Sequence, residues 1–184
     1  SLGLPTFTLS PQGGPHRRDT SGSISVVSIS VVSTRNDAKI GLTECPGRTL
    51  PLTRSIAAIV DWRPRVAVTL VEAPEFGPAL RTFQTALAAR NISWLHFPIR
   101  NYSVPAPDAG WEALGRQLHA ALDEGGRILI HCWGGLGRSG MIAARLLVER
   151  GERPDRAVAQ VRAARPGAIE TEDQVRWATR PART

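Results

Sequence analysis

The sequence predicts an α/β protein, a single domain with a mainly parallel central sheet flanked by helices. Three observations carry that expectation. The length, 184 residues, is that of one domain. Hydrophobic residues at 42% and charged residues at 21% are ordinary globular usage. Short β-branched or aliphatic runs also alternate with longer stretches of helical periodicity, a pattern that joins parallel strands by right-handed crossovers.

Residues 1–23 hold Pro5, Pro11 and Pro15 among Gly, Ser and Thr with little apolar periodicity. They read as a flexible or docked N-terminal arm, which leaves residues 24–184 for the folded domain. From Ile24 a partly alternating Ile/Val/Ser run reads as one or two strands. A helix is expected over Leu52 to Trp62, and across Pro64 a strand over Val66 to Val71. Pro78 opens a helix to Arg90, since proline is tolerated in a first turn. Ile92 to Ile99 is a strand, and Asp108 caps a helix from about Ala109 to Asp123 that Gly125 and Gly126 stop. Arg127 to Ile130 is a buried strand. Helices then follow over Ser139–Arg150, Pro154–Arg165 and Thr171 to about Arg180.

Composition restricts function before any motif is considered. Only Cys45 and Cys132 are present, so a multi-disulfide or four-cysteine zinc scaffold is excluded. No stretch approaches the ~20 apolar residues of a membrane span, and the N-terminal segment lacks the pattern of a secretory signal. A cytoplasmic monomer is expected. The net charge is +7 with a pI of about 11.0, and Lys39 is the only lysine among 23 basic residues. Such charge suits nucleic acid, an anionic surface or a phosphorylated substrate, or is compositional background. The arginines form no block of five, and no helix clusters them on one face beside aromatics, so neither a nucleic-acid nor a membrane partner is expected.

The chemistry concentrates in His131-Cys132-Trp133-Gly134-Gly135-Leu136-Gly137-Arg138-Ser139-Gly140, between a strand and a helix. Glycines let consecutive backbone N–H groups turn inward, and a helix start adds positive potential, so the segment forms an anion cradle. A nucleotide loop would end in Gly-Lys-Ser/Thr, which is missing. Curled around a tetrahedral oxyanion, the loop brings Cys132 toward phosphorus while the Arg138 fork grips two oxygens. The amides of Trp133, Gly134, Gly135, Leu136 and Gly137 complete the phosphate site. The same donors favour a thiolate over a thiol. Ser139 is placed to hydrogen-bond that sulfur and ease its departure. His131 alternates away from the site and braces the loop.

His-Cys-x-x-Gly-x-Gly-Arg-Ser resembles the signature of the cysteine-dependent protein tyrosine and dual-specificity phosphatases. The residues Ile130 to Ser139 are most like the kinase-associated branch, and the likeness extends over roughly residues 40–177. It implies a dual-specificity phosphatase-like fold, a phosphocysteine intermediate on Cys132, a phosphorylated protein substrate and no metal or organic cofactor. The resembling branch places its general acid, an aspartate, shortly after His-x-Pro-Ile. Here His96-Phe97-Pro98-Ile99-Arg100 leads to Asn101, and an amide neither gives nor takes a proton at neutral pH. Three readings stand: Asn101 replaces the acid in a substrate-trapping form, Asp108 supplies the proton instead of capping its helix, or the protein is a weak, phosphate-binding pseudophosphatase.

Residues 169–177 resemble the glutamine-bearing loop of tyrosine phosphatases, with Gln174 at the second glutamine and Glu170 in place of the first. Thr171 and Gln174 equally form a capping box. Glu72 and Glu75 follow a strand end, from which one could pair with Arg138 or remain in solvent. Cys45 is a lone structural cysteine or a disulfide partner of Cys132. Trp133 is placed to wall a substrate ring, whereas Trp94 and Trp111 pack core. The loop carries no lysine of the kind phosphoinositide phosphatases tend to use, which favours phosphotyrosine, with phosphoserine and phosphothreonine next.

Overall fold

The protein was analysed as a computed structural model that describes residues 27–181. Its strands are β1 (Ser30–Ser33), β2 (Lys39–Thr43), β3 (Val66–Thr69), β4 (Ser93–His96) and β5 (Arg127–His131). Its helices are α1 (Leu52–Trp62), α2 (Ala73–Phe76), α3 (Ala79–Ala88), α4 (Trp111–Asp123), α5 (Gly137–Glu149), α6 (Pro154–Ala164) and α7 (Glu172–Thr179). The sheet order is β1-β2-β5-β3-β4; β1 is antiparallel to β2 and every other pair is parallel. The α/β expectation holds, with one antiparallel edge.

β5 lies at the centre because its side chains suit burial on both faces. Ile128, Leu129 and Ile130 are all fully buried, the continuous apolar run typical of an interior parallel strand. The register aligns Thr43 of β2 and Thr69 of β3 with His131 of β5. The loops leaving three parallel strands therefore open side by side at their carboxyl ends, where open α/β sheets form their ligand crevices. α5 starts from that end and packs against β2, β5, α6 and α7. Its residues from Gly137 to Leu147 are all buried, so the helix is enclosed rather than amphipathic at the surface.

Several boundaries differ from the sequence expectation. The arm 1–23 and residues 24–26 lie outside the described residues, and from residue 27 onward the strand expected from Ile24 is regular over Ser30–Ser33. β2 was not foreseen: Gly41 lowers its strand propensity, yet a Cβ there would press on Trp62, Ile29 and Leu129. α2 was also unforeseen, a single turn with Pro74 near its start. The expected strands at 66–71 and 92–99 shorten to Val66–Thr69 and Ser93–His96. Asp108 does not cap α4. Gly110, at φ 80°, occupies that position, and Asp108 lies in an exposed turn where the Ala109 N–H donates to Ala106 O. Finally, α5 begins at Gly137 rather than Ser139, which puts Arg138 inside its first turn.

Candidate active site

The cradle is set by close approaches that only glycine permits. Gly135 has φ 69°, and a Cβ there would collide with the Thr43 carbonyl at the end of β2. A Cβ at Gly137 would overlap the Glu170 carboxylate, and one at Gly140 would press on Ala168 and Ile169. The loop is tied down from outside by Cys45 N–H to Trp133 O at 2.9 Å and Ile169 N–H to Leu136 O at 3.3 Å. Arg165 adds a bond from Nη2 to Gly134 O at 3.0 Å. Burial lowers the Arg165 pKa, opposed by the neighbouring Cys132 and Glu44, and among the described residues its buried Nε has no partner.

Cys132 is 3% exposed, and its Sγ lies 3.4 Å from the Ser139 hydroxyl in the first turn of α5. Arg138, 2% exposed, has its guanidinium held by three bonds. Nη1 donates to Glu75 Oε2 at 2.8 Å and to Ile99 O at 2.9 Å, and Nη2 donates to Glu75 Oε1 at 2.6 Å. Burial opposes the Arg138 charge, but Glu75 and Cys132 outweigh it and raise its pKa. In return, the hydrogen bond from Arg138 holds the Glu75 carboxyl below its ordinary range. Of the two acidic residues after β3, Glu75 reaches Arg138 and Glu72 is exposed.

His131 is fully buried and meets the rings of Phe76 and Phe83 edge-on. Its Nδ1 lies 3.4 Å from Cys132 O, a group that only accepts, so Nδ1 carries the proton in the neutral ring. Nε2 then accepts from the Thr69 hydroxyl at 2.7 Å, and Thr69 Oγ1 accepts from Trp94 Nε1 at 2.8 Å. Burial pushes the His131 pKa down to about 4, which keeps the ring neutral near pH 7. The chain Trp94–Thr69–His131–Cys132 thus runs in one donor direction across β4, β3 and β5. Thr69 and Trp94 were not singled out in the sequence for this role. The available signal was a threonine closing an otherwise aliphatic buried strand.

The other sequence-singled residues divide into those at the cradle and those away from it. Gln174 is fully buried: its backbone N–H donates to Thr171 Oγ1, and its Oε1 accepts from the N–H groups of Glu170 and Thr171. Its Nε2 reaches Ser103 O at 3.3 Å, linking α7 to the segment after Asn101. Capping box and loop anchor are therefore one side chain. Asn101 is exposed, with Oδ1 accepting from the Tyr102 N–H at 3.1 Å. Trp133 is 41% exposed beneath the Arg48 guanidinium, and Tyr102 is 61% exposed. Trp111 is buried against Phe97 and Trp177, while Cys45 and Cys132 are both free thiols. Burial, with like charge nearby, raises the Cys45 pKa to about 12, so it stays a neutral thiol.

Residues 65–178 match the family described as PTP-SAK, Swiss Army Knife protein, DSP-PTPase phosphatase domain. The chain belongs to this family. Residues 65–178 thus form a phosphatase domain of the DSP-PTPase type. The chain is 36% identical over 85 residues to cyclin-dependent kinase inhibitor 3 of Rattus norvegicus, a stretch covering 45% of this chain and 40% of that protein. The match thus spans less than half the length of that relative. A crystal structure of kinase-associated phosphatase with its catalytic-site cysteine changed to serine superposes with a TM-score of 0.74 at 23% identity, covering 84% of this chain and 93% of the other. Tk-PTP in its active form gives 0.64 at 30% identity, covering 80% and 92%. PTPMT1 in complex with PI(5)P shares the fold at 18% identity with a TM-score of 0.62, covering 76% and 87%.

Among the described residues no helix is long and apolar enough to cross a membrane, and no three His, Cys, Asp or Glu side chains cluster as a metal site.

Proposed function

We propose that this phosphatase domain hydrolyses phosphoprotein monoesters, phosphotyrosine first and phosphoserine or phosphothreonine next, through a phosphocysteine on Cys132. The observation that carries the reading is the Arg138 fork fixed by both Glu75 oxygens at 2.8 and 2.6 Å, with the Cys132 sulfur 3.4 Å from Ser139. A guanidinium held in one orientation offers its remaining N–H groups to equatorial phosphoryl oxygens without reorganising during the reaction. Cys132 attacks phosphorus, the ester oxygen leaves, and Ser139 hydrogen-bonds the sulfur when water later displaces it. The amides of residues 133–137 hold the phosphoryl group, with His131 and Gln174 supporting the loop. The exposed rings of Trp133 and Tyr102 suit an aromatic phosphoester. Two free buried thiols suit a reducing compartment such as the cytoplasm.

The test is rapid-quench turnover of p-nitrophenyl phosphate. We expect a burst of one equivalent of nitrophenol, alkylation of Cys132 by iodoacetate that phosphate prevents, and no burst in Cys132→Ser. Phosphotyrosine, phosphoserine and PI(5)P substrates run in parallel define the class, and preference for the lipid would overturn the protein assignment. One observation favours a second reading, a phosphate-dependent binding module: the acid position holds Asn101, whose amide transfers no proton. Tight phosphopeptide binding with no burst would decide for it.

A further inference from the structure

Three acidic residues lie against the loop 132–138, and two have fully engaged carboxylates. Glu75 gives both oxygens to Arg138. Glu44, whose backbone N–H lies against Gly135, accepts from Arg48 Nη1 at 2.8 Å and from the Thr49 hydroxyl. The third is Glu170. Its Oε2 fills the space a side chain at Gly137 would take, beside the last glycine before Arg138. Among the described residues Glu170 has no side-chain hydrogen bond or ion pair, and it is exposed to water.

The segment bearing Glu170 is held in place. Ile169 has φ 59°, a left-handed conformation strained for a β-branched residue. It is fixed there by its N–H to Leu136 O at 3.3 Å and by Arg162 Nη2 to its carbonyl at 2.9 Å. The next residue is pinned through its own N–H to Gln174 Oε1 at 2.9 Å. Strain maintained beside a reactive loop commonly marks a group that must point one way.

We propose that Glu170 is the proton acceptor for hydrolysis of the Cys132 phosphocysteine, a step Asn101 cannot serve. Water attacks phosphorus from the side opposite sulfur and gives one proton to the Glu170 carboxylate. The P–S bond breaks, its electron pair returns to Cys132 as thiolate, and inorganic phosphate leaves. The protonated Glu170 then releases its proton to solvent. The inference rests on Cys132 forming the phosphocysteine.

Rapid-quench and steady-state measurements on p-nitrophenyl phosphate test it with Glu170→Gln, which keeps the size and removes the basicity. We expect the burst amplitude and rate to persist while kcat falls ~10²-fold and acid-quenched phosphocysteine accumulates. Glu170→Asp should recover a large part of kcat. Glu170→Gln turnover within twofold of the native chain, or a burst that falls together with kcat, overturns the assignment. A native chain with a burst and an indifferent Glu170→Gln variant removes Glu170 alone. A native chain with no burst removes the phosphocysteine reading and this inference with it.

Discussion

Arg138 and Glu75 illustrate how much of the site depends on one side chain holding another. The arginine is enclosed, and without Glu75 its charge would have only the Ile99 carbonyl and the cysteine sulfur to answer it. Glu75→Gln keeps the shape and removes the charge. It is expected to lower kcat/KM toward an aryl phosphate by ~10²-fold, as loss of a preorganised transition-state contact does. Because the Glu75 pKa is depressed in the fold, the ion pair contributes above the ordinary carboxyl range and is lost as pH falls below it. Gly135 gives a second residue-scale expectation. Gly135→Ala forces a methyl against the Thr43 carbonyl at positive φ, so vanadate inhibition should weaken at least tenfold, read by titration of residual activity. Cys132 and Arg138 are legible from the chain because one short motif holds both, and Asn101 because it closely follows His96-Phe97-Pro98-Ile99. Glu75 was only one of two acidic candidates, because which carboxylate faces Arg138 is set by the turn of α2.

At the level of elements, aliphatic runs located β3 and β5 and amphipathic periodicity located α1, α3, α4 and α6. These patterns follow from burial and need no knowledge of the neighbours. β2 escaped because its glycine is explained only by the side chains pressing on it, and α4 starts at Trp111, capped by Gly110, because the Asp108 turn closes before the helix. α7 carries a testable device. Its capping box joins Thr171 and Gln174, and the same glutamine anchors Glu170 and Ser103. Thr171→Ala is expected to cost about 1 kcal/mol of stability, measured by urea unfolding. It should also lower kcat more than KM, since the loop it fixes is the one bearing Glu170.

Over the whole molecule the polar network behind α5 governs behaviour in acid. Burial would raise the Glu149 pKa, but hydrogen bonds from His119 and Trp111 and the Arg145 charge bring it down to about 2 from an ordinary 4.5. A depressed carboxyl contributes stability above its unfolded pKa, about 3 kcal/mol here, which disappears as pH falls from 4.5 toward 2. His131, held neutral down to about 4 by burial, adds a loss between pH 6.5 and 4 because protonation favours the unfolded chain. Thermal unfolding should therefore show Tm dropping from pH 6.5 downward. Glu149→Gln should lower Tm at pH 7 and flatten the part of the decline below 4.5.

The arginine-rich composition left several anionic partners open, and the motif from His131 to Ser139 narrowed them to a phosphate. The sequence by itself determined the α/β class, the buried strand β5 and the contiguous loop from Cys132 to Arg138, because apolar periodicity and a strand–glycine–helix junction are local properties of the chain. Only the tertiary structure decided which carboxylate orients Arg138, how Trp94 and Thr69 fix the proton on His131, and that Glu170, unpartnered among the described residues, lies beside Gly137. Those relations join residues far apart in the chain. They exist only because parallel strands in register deliver their loops to the same end of the sheet.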